Sequence, residues 1–479
     1  MRRLESAPGA ACSVSRAHVS SSGTSHEVQP GSARSATVAD SRSCLHPRCR
    51  RLLRSYSRCR PCKLPSTSIS MHPRSTRETM TPLPTLLFFV LALVAVLGYG
   101  GLLRLTFTSY YRGANDFFIP WRAVQLLLTE GRNPYGPDVT ADIQRALFGH
   151  TRQPDEHQFD FAYPLILAPL LAPYTLLPYE WAQPLWQATI QTLLAAGLLL
   201  WYRTLHPARV AGRGTAVGTA TLLLWGLTLY PAARAFLLGQ IALLVFAAAV
   251  VALWALARGR DGTAGAALAL VTVKPQLSFL AVPALLVLAW TSGRRQVLWG
   301  FGATFVGLLA LSLALMPGWP LAFFQRLVEY QRYTSLGAAS DSPSPLALLV
   351  RPFGSAAAAV EALGVVALLA VLFDALWRQR LAPAWPQVGN ALLTVSAWIA
   401  PRAATTDQVL LLLPLLFLLR RRPRPVAMVV AGLVWAGLWL LFFTTVQGDQ
   451  EQLIVRLPLP LIVLALWLSD RRMPSSSLG

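Results

Sequence analysis

Two ionisable side chains stand out by their positions in an otherwise apolar chain. In residues 81–479, Lys274 is the only lysine beside 27 arginines, and it lies within the apolar run GTAGAALALVTVKPQLSFLAVPALLVLAW. Because a charge at membrane depth is costly, such a lysine is by default a candidate functional residue, at a position that suits a compact ammonium. The alternative is a lysine retained by chance, whose long side chain extends to the lipid headgroups.

The second candidate is Asp116, which directly precedes a stretch with helical periodicity. Phe117, Trp121, Val124 and Leu128 repeat at helical spacing, so they share one face of a predicted surface helix. This helix would lie along the membrane and hold Asp116 at a constant depth, where a carboxylate can accept a proton from an acceptor hydroxyl. The alternative role is helix capping, which is common for aspartate and compatible with the first role.

The composition places these residues in an integral membrane protein. Apolar residues make up 54 % of the chain and charged residues 13 %, with a mean hydropathy of +0.47, whereas soluble domains carry about 25 % charged residues. Apolar stretches separated by short arginine-bearing connectors predict an all-α polytopic bundle. Residues 1–80 contribute ten of the net +21 charges. The charge therefore indicates membrane lipids as partners and no nucleic acid.

The distribution of arginines predicts about twelve membrane crossings with both termini in the cytoplasm. The connector 106–160 follows the first span and holds seven acidic residues, so it is placed outside the cytoplasm. Residues 262–290 are predicted to form two helical arms that meet at Lys274 and Pro275, because proline disfavours helix at the preceding residue and favours the first helical position. Residues 161–178 contain four prolines, which is typical of a re-entrant segment.

The first 80 residues differ in kind from the membrane domain, which we assign to residues 81–475. They hold all five cysteines and are rich in serine and proline. We interpret them as a disordered basic extension, or as a gene start placed too early, with translation beginning at Met71 or Met80. A zinc site is the alternative, for which the sequence offers one CxxC pair without a matching second pair. The cysteines concerned are Cys44, Cys49, Cys59 and Cys62.

Four segments of the membrane domain resemble successive blocks of a known family. They are DFFIPWRAVQLLLTEGRNPY, FAYPLILAPLLAPYTLLP, LLGQIALLVFAAAVVALWALARGRDGTAGAALALVTVKPQLSFL and SAWIAPRAATTDQVLLLLPLL. In this order they are similar to glycosyltransferase family 87, which comprises GT-C-class membrane enzymes similar to the polyprenyl-phosphate-mannose-dependent mannosyltransferases. The resemblance covers roughly residues 85–470. It implies a GT-C-like helical bundle with extracytoplasmic catalytic loops.

The resemblance also implies roles for individual residues. Asp116 matches the first-loop acidic residue that acts as catalytic base, and Lys274 matches a lysine that would neutralise the donor phosphate. Gln240 belongs to a GQ element that would lie near the sugar or the phosphate, with a purely structural role as the alternative. Tyr135 ends an NPY element for which the structural role is favoured, and Tyr163 begins the aromatic–proline start of the re-entrant segment.

One departure from the family pattern concerns the segment before the late spans. Many relatives carry a histidine there, but this chain has no histidine after His206 and offers Arg402 and Asp407 instead. The departure leaves open whether acceptor handling, or activity itself, matches the mannosyltransferase prototype. The guanidinium of Arg402 suits a second phosphate contact.

The expected function is an inverting transfer of a sugar, with mannose favoured, from a polyprenyl-phosphate donor to a lipid or glycan acceptor at the outer face of the plasma membrane. Asp116 would deprotonate the acceptor hydroxyl, and Lys274, with Arg234 or Arg402, would stabilise the departing phosphate. We expect no cofactor, no metal and no nucleotide site, because the outer loops contain no DxD-like pair and the chain no phosphate-binding glycine loop. The alternatives are a transporter or flippase of a lipid-linked or anionic solute, and an inactive membrane scaffold.

Overall fold

The structure, a computed structural model, describes residues 82–111, 113–153, 158–206, 213–333, 343–402, 404–447 and 451–471. Within them the chain forms helices and no β-strand, which confirms the predicted all-α class. The expectations for residues 1–80, namely the extension, the later start and the zinc site, fall outside the described residues.

Nineteen α-helices follow one another in the described part of the chain. The first ten are α1 (Pro82–Leu103), α2 (Asn115–Glu130), α3 (Pro137–Phe148), α4 (Ala168–Thr175), α5 (Tyr179–Leu205), α6 (Arg213–Thr228), α7 (Tyr230–Leu237), α8 (Ala242–Ala257), α9 (Asp261–Val271) and α10 (Pro275–Ser278). The others are α11 (Ala281–Thr291), α12 (Arg295–Leu315), α13 (Trp319–Tyr333), α14 (Pro345–Val350), α15 (Ala357–Trp377), α16 (Trp385–Ile399), α17 (Leu412–Arg420), α18 (Arg424–Thr445) and α19 (Pro458–Arg471). Short 3₁₀ segments, among them Thr405–Leu411, connect some of these helices.

Five helical segments in the described part are long and apolar enough to cross a membrane, and a sixth is added if a bent pair counts as one span. The bent pair joins Ala216–Thr228 to Tyr230–Leu237 at an angle of 61°. Several apolar helices at the centre of the bundle have fewer than 18 residues and are too short to be counted as spans by length alone. The number of about twelve crossings therefore stays a prediction. The five segments are Val90–Thr108, Arg295–Leu315, Pro345–Trp377, Arg424–Thr445 and Leu453–Arg471.

The centre of the bundle is built around α8, whose residues are apolar on every side. Such a helix is expected to be buried, and α8 packs against α5, α9 and α16. Close packing of α9 on α12 depends on small residues, as is usual between membrane helices. A Cβ on Gly265 would collide with the carbonyl oxygen of Val297, so no larger residue fits there without a shift of backbone.

The helix break predicted at Lys274 and Pro275 is present. Helix α9 ends at Val271, Lys274 has non-helical dihedral angles (φ −126°, ψ 87°), and Pro275 occupies the first turn of α10. Arg294, just before α12, donates from Nε to Asp261 Oδ1 at 3.0 Å. Since Asp261 begins α9, the chain between these two residues leaves one end of the bundle and returns to it, with Lys274 at the turning point.

Helix α2 shows the amphipathic pattern expected of residues 117–128, with two differences. Phe117, Trp121 and Val124 share one face as predicted, but this face is buried inside the protein and not laid along a membrane surface, whereas Leu128 is 36 % exposed. The reason for the exposure of Leu128 is geometric: α2 carries further buried residues at Leu126 and Leu127, so its apolar face has turned away from Leu128 by the last turn.

Candidate active site

Four side chains form a chain of direct contacts at this turning point. Gln240 Nε2 donates to Asp116 Oδ2 at 2.5 Å, and Lys274 Nζ donates to Gln240 Oε1 at 2.9 Å. Lys274 Nζ also donates to Asp407 Oδ1 in a close ion pair. We call these four residues the Asp116 network. It brings together three of the residues singled out from the sequence and adds Asp407 from the segment where relatives carry histidine.

Gln240 reaches the network because the loop between α7 and α8 makes a tight approach to α2. Gly239 has a φ of +67°, and a Cβ there would lie 2.7 Å from Phe117 Cβ. The indole Nε1 of Trp186 donates to the carbonyl oxygen of Gly239 at 2.7 Å, and its ring stacks on Phe117 with centroids 4.9 Å apart. The glycine of the GQ element therefore has a steric role, and the glutamine supplies the polar contact.

Asp116 lies in the first turn of α2 and is not its N-cap. That position belongs to Ala114, which has a left-handed φ of 58° and whose N–H donates to the carbonyl oxygen of Leu237 at 3.0 Å. The hydroxyl of Tyr179 donates to the carbonyl oxygen of Ala114 at 3.1 Å. With the start of α2 held in this way, the Asp116 carboxylate contacts Gln240 and also benefits from the positive end of the helix dipole.

Lys274 and Asp407 form a deeply buried ion pair. Lys274 is 3 % exposed and Asp407 5 % exposed. Removing two charges from water is repaid only when further hydrogen bonds satisfy them. Gln240 supplies one such bond to Lys274, and the N–H of Ala404 donates to Asp407 Oδ2 at 3.3 Å. The lysine thus holds Gln240 and Asp407 together from the interior.

A second ionic cluster lies next to the network and is centred on Glu451. Glu451 accepts hydrogen bonds from Tyr230 OH at 2.7 Å and from the hydroxyl of Thr405, two residues before Asp407. Arg234 Nε lies 2.9 Å from Glu451 Oε2, and Arg456 Nε lies 3.9 Å from Glu451 Oε1. Arg234 therefore lies beside the network, while its charge is shared with a carboxylate.

The electrostatic environment suits Asp116 for taking up a proton. Burial raises the pKa of its carboxyl above the ordinary value. The hydrogen bond from Gln240 and the charges of Lys274 and Arg234 oppose this rise, and the charge of Asp407 reinforces it. Asp116 keeps partial exposure, in contrast to Gln240, Lys274 and Asp407, which are buried. It is thus the most accessible member of the network.

Tyr163 lies close enough to the carboxylates of Asp116 and Asp407 for their charges to affect its pKa. Burial and then the charges of Asp116 and Asp407 raise the pKa of the Tyr163 phenol, so it keeps its proton and can donate a hydrogen bond. Its carbonyl oxygen accepts from Tyr135 OH at 2.8 Å. This contact gives Tyr135 of the NPY element a structural role and connects the turn before α3 to the segment before α4.

Arg402 occupies a turn between α16 and the 3₁₀ segment Thr405–Leu411. It is half-buried and has a left-handed φ of 55°, five residues before Asp407 in the chain.

Among the described residues, no group of three or more histidine, cysteine, aspartate or glutamate side chains could hold a metal ion.

Sequence reasoning missed Glu451 and Arg456. Both lie in the connector before α19, far in sequence from the matched blocks, and neither belongs to a recognisable motif. The available signal was indirect: Glu451 is one of few carboxylates in the second half of a strongly basic chain. In a membrane protein such a carboxylate is expected to pair with a cation.

The family model of glycosyltransferase family 87 matches residues 161–401, about half of the chain. The protein belongs to glycosyltransferase family 87. Together with its apolar helices, this identifies it as a membrane glycosyltransferase. The match includes Gln240 and Lys274, whereas Asp116 and Asp407 lie on either side of it, so the two carboxylates that complete the network come from outside the matched segment. No curated protein and no solved structure matches the chain.

Proposed function

We propose that this family 87 glycosyltransferase moves a sugar, mannose in the first instance, from a polyprenyl-phosphate donor to a hydroxyl of a lipid or glycan acceptor. The reaction would take place at the outer face of the plasma membrane, with both chain termini in the cytoplasm and a GT-C-like arrangement of the helices. The similarity of the four sequence blocks to enzymes with such donors supports this choice. A donor held in the membrane also suits a site at the turning point of a broken helical hairpin.

The observation that carries the proposal is the position of Asp116 in its network. Gln240 contacts Asp116 directly and is itself held by the buried Lys274. Burial raises the pKa of Asp116, so that it is a stronger base than an aspartate in water. A base needs to lie within hydrogen-bond distance of the hydroxyl that it deprotonates. Asp116 offers Oδ1 for this contact while Oδ2 accepts from Gln240.

The reaction proceeds as a single displacement with inversion. Asp116 takes the proton of the acceptor hydroxyl as the acceptor oxygen forms a bond to the anomeric carbon. The bond between that carbon and the phosphate oxygen breaks on the opposite side, and its electron pair leaves with the polyprenyl phosphate. Nearby cations stabilise the charge that develops on the phosphate.

Among these cations Arg234 is more accessible than Lys274. Its side chain is 24 % exposed, whereas Lys274 is 3 % exposed and already bonded to Asp407 and Gln240. Two of the three N–H groups of Lys274 are therefore occupied, and its burial keeps a phosphate from direct contact unless the surrounding side chains move. We therefore assign the first contacts with the phosphate to Arg234 and to Arg402, which precedes the segment Thr405–Leu411. Lys274 has a positioning role, because it holds Gln240 and, through Gln240, Asp116.

The test uses purified full-length protein reconstituted with extracted membrane lipids as acceptors. Radiolabelled polyprenyl-phosphate mannose is compared with GDP-mannose as donor. We expect label in the lipid or glycan fraction with the polyprenyl donor alone. Transfer from GDP-mannose in the absence of polyprenyl phosphate would contradict the proposed donor. Movement of the labelled donor across the vesicle membrane without any transfer would instead support the transporter alternative.

A further inference from the structure

A second cavity, of about 500 Å³, lies at the other end of α16 from the Asp116 network. Asn390, near the start of α16, lines it, whereas Ala400, just beyond the end of this helix, lies beside Asp407 in a separate narrow cavity. Ten residues of α-helix span about 15 Å. The second cavity is therefore distinct from the proposed transfer site. Its walls come from the ends of α15, α17 and α19 and the start of α16, and include Arg378, Gln387, Asn390, Phe417, Arg421 and Arg471.

Three arginines give the cavity a positive charge. Arg421 Nη1 lies 2.6 Å from Asp470 Oδ2. Arg471 Nη2 and Arg378 Nε lie 2.6 and 2.9 Å from the carboxylate of Asp374. Three guanidinium groups thus face two carboxylates, which leaves one net positive charge. A guanidinium has five N–H donors, so these ion pairs occupy only part of the donors around the cavity.

Asn390 provides an independent sign that the cavity receives a polar ligand. Its side chain is 1 % exposed, and neither Oδ1 nor Nδ2 has a hydrogen-bond partner among the residues that the structure describes. A buried amide without partners is unfavourable, and native proteins rarely keep one without a role. Because Asn390 also lines the cavity, a ligand that displaces the atoms covering this amide would meet it together with the guanidinium groups.

The cavity also has an aromatic wall at the end of membrane-spanning helices. The guanidinium of Arg421 lies 4.8 Å from the ring centroid of Phe417, and that of Arg471 lies 5.3 Å from the ring centroid of Trp467. Leu468, which also lines the cavity, is 38 % exposed. Aromatic and cationic side chains in this arrangement are typical of the boundary between lipid tails and headgroups.

We propose that this cavity binds the phosphate headgroup of an anionic phospholipid. The arginines would bind the phosphodiester oxygens through charge-assisted hydrogen bonds, Asn390 would bind the headgroup through its amide, and the acyl chains would pass over Leu468 into the bilayer. In the predicted topology the cavity lies on the cytoplasmic side, where anionic lipids attract basic segments.

The test measures thermal unfolding and native mass spectra of the full-length protein in uncharged detergent. Phosphatidylglycerol, phosphatidylcholine or glycerol 3-phosphate is added. We expect phosphatidylglycerol alone to raise the unfolding temperature and to remain bound in the mass spectrum. The substitution Arg421→Gln should weaken this binding about tenfold, equivalent to one charge-assisted hydrogen bond. The matched control is Arg424→Gln, since Arg424 is exposed and lies outside the cavity walls.

Asn390→Leu separates a binding role from a structural one. Removal of the unsatisfied amide should raise the unfolding temperature of the lipid-free protein, and the increment caused by phosphatidylglycerol should disappear. An unchanged increment in Asn390→Leu, or equal losses in Arg421→Gln and Arg424→Gln, would overturn the proposal. Equal stabilisation by phosphatidylcholine would overturn the preference for an anionic headgroup. Equal stabilisation by glycerol 3-phosphate would show that the site binds a free phosphate ester and does not require a lipid.

Discussion

At the scale of single residues, the site depends on the orientation of one amide. Gln240 donates to a carboxylate through Nε2 and accepts from an ammonium through Oε1. The two charges fix which end of the amide faces Asp116, because the reversed amide would place its oxygen against the carboxylate and its NH₂ against the ammonium. Gln240 therefore connects the buried Lys274 to the accessible Asp116, and it sets how readily Asp116 takes up a proton.

This gives a prediction for the pH dependence of transfer. A base acts when deprotonated, so activity should fall as the pH is lowered through the pKa of Asp116, with a midpoint above the value of about 3.9 for an ordinary aspartate. The hydrogen bond from Gln240 lowers this pKa, so Gln240→Leu should move the midpoint to higher pH. The measurement is the pH profile of kcat/KM. Gln144→Leu, which alters a buried glutamine of α3, should keep the wild-type midpoint. Equal profiles for all three proteins would refute an influence of Gln240 on the pKa of Asp116.

Three residues of the network could be singled out from the sequence, but their partners could not. Lys274 and Asp116 are conspicuous because a charge in an apolar segment is energetically costly. Gln240 was noticed because it belongs to the GQ element that resembles the family. The ion pair of Lys274 with Asp407 joins residues 133 positions apart, and the local sequence around each gives no hint of the other. Glu451 escaped notice for the same reason, since its hydrogen-bond and ion-pair partners lie on α7, near Asp407 and in its own connector.

At the scale of elements, the approach of the α7–α8 loop to α2 depends on Gly239. Gly239→Ala should impose left-handed strain of about 1–2 kcal/mol and a clash with Phe117 worth about 1–3 kcal/mol more. Gly131→Ala is a matched control, because Gly131 also has a positive φ (66°) but a Cβ there would have no atom within 4 Å. We expect a larger loss of unfolding free energy, and a larger loss of transfer, in Gly239→Ala. Similar losses in both variants would show that the contact with Phe117 is unimportant.

The helix elements were predictable where a local rule acts. Proline explains the break at Lys274, and helical periodicity explains most of α2. The 3₁₀ segment Thr405–Leu411 was not predicted, because it carries no proline or glycine and its apolar residues continue directly into α17. Its shape follows from tertiary contacts instead: Thr405 bonds to Glu451, and Gln408 Nε2 donates to the carbonyl oxygen of Arg456 at 2.7 Å.

At the scale of the whole molecule, the bundle has two chemically different ends. The Asp116 network lies at one end of α16, and the arginine-lined cavity lies at the other. The positive-inside rule predicts that the arginine-rich end faces the cytoplasm. This assignment decides which substrates can reach Asp116, because polyprenyl-linked sugars are presented at the outer face in the proposed reaction.

Cysteine labelling tests this orientation. All five cysteines lie within residues 1–80 and can be replaced by serine. Single cysteines are then introduced at Glu130, an exposed residue at the end of α2, and at Gln296, an exposed residue at the start of α12. A membrane-impermeant maleimide should label Glu130→Cys in intact cells and Gln296→Cys only after permeabilisation. The reverse result, or labelling of both positions from the same side, would contradict the topology.

The most direct test of the central claim is the transfer rate of Asp116→Asn. Asparagine keeps the size of the side chain and a hydrogen bond to Gln240 but cannot accept the proton of an acceptor hydroxyl. We expect the rate with polyprenyl-phosphate mannose to fall by about 10²-fold or more, the usual contribution of a general base, while unfolding temperature and donor binding stay close to wild type. Asp138→Asn, in an exposed aspartate of the same loop that pairs with Arg132, should keep the wild-type rate. A wild-type rate in Asp116→Asn would contradict the account.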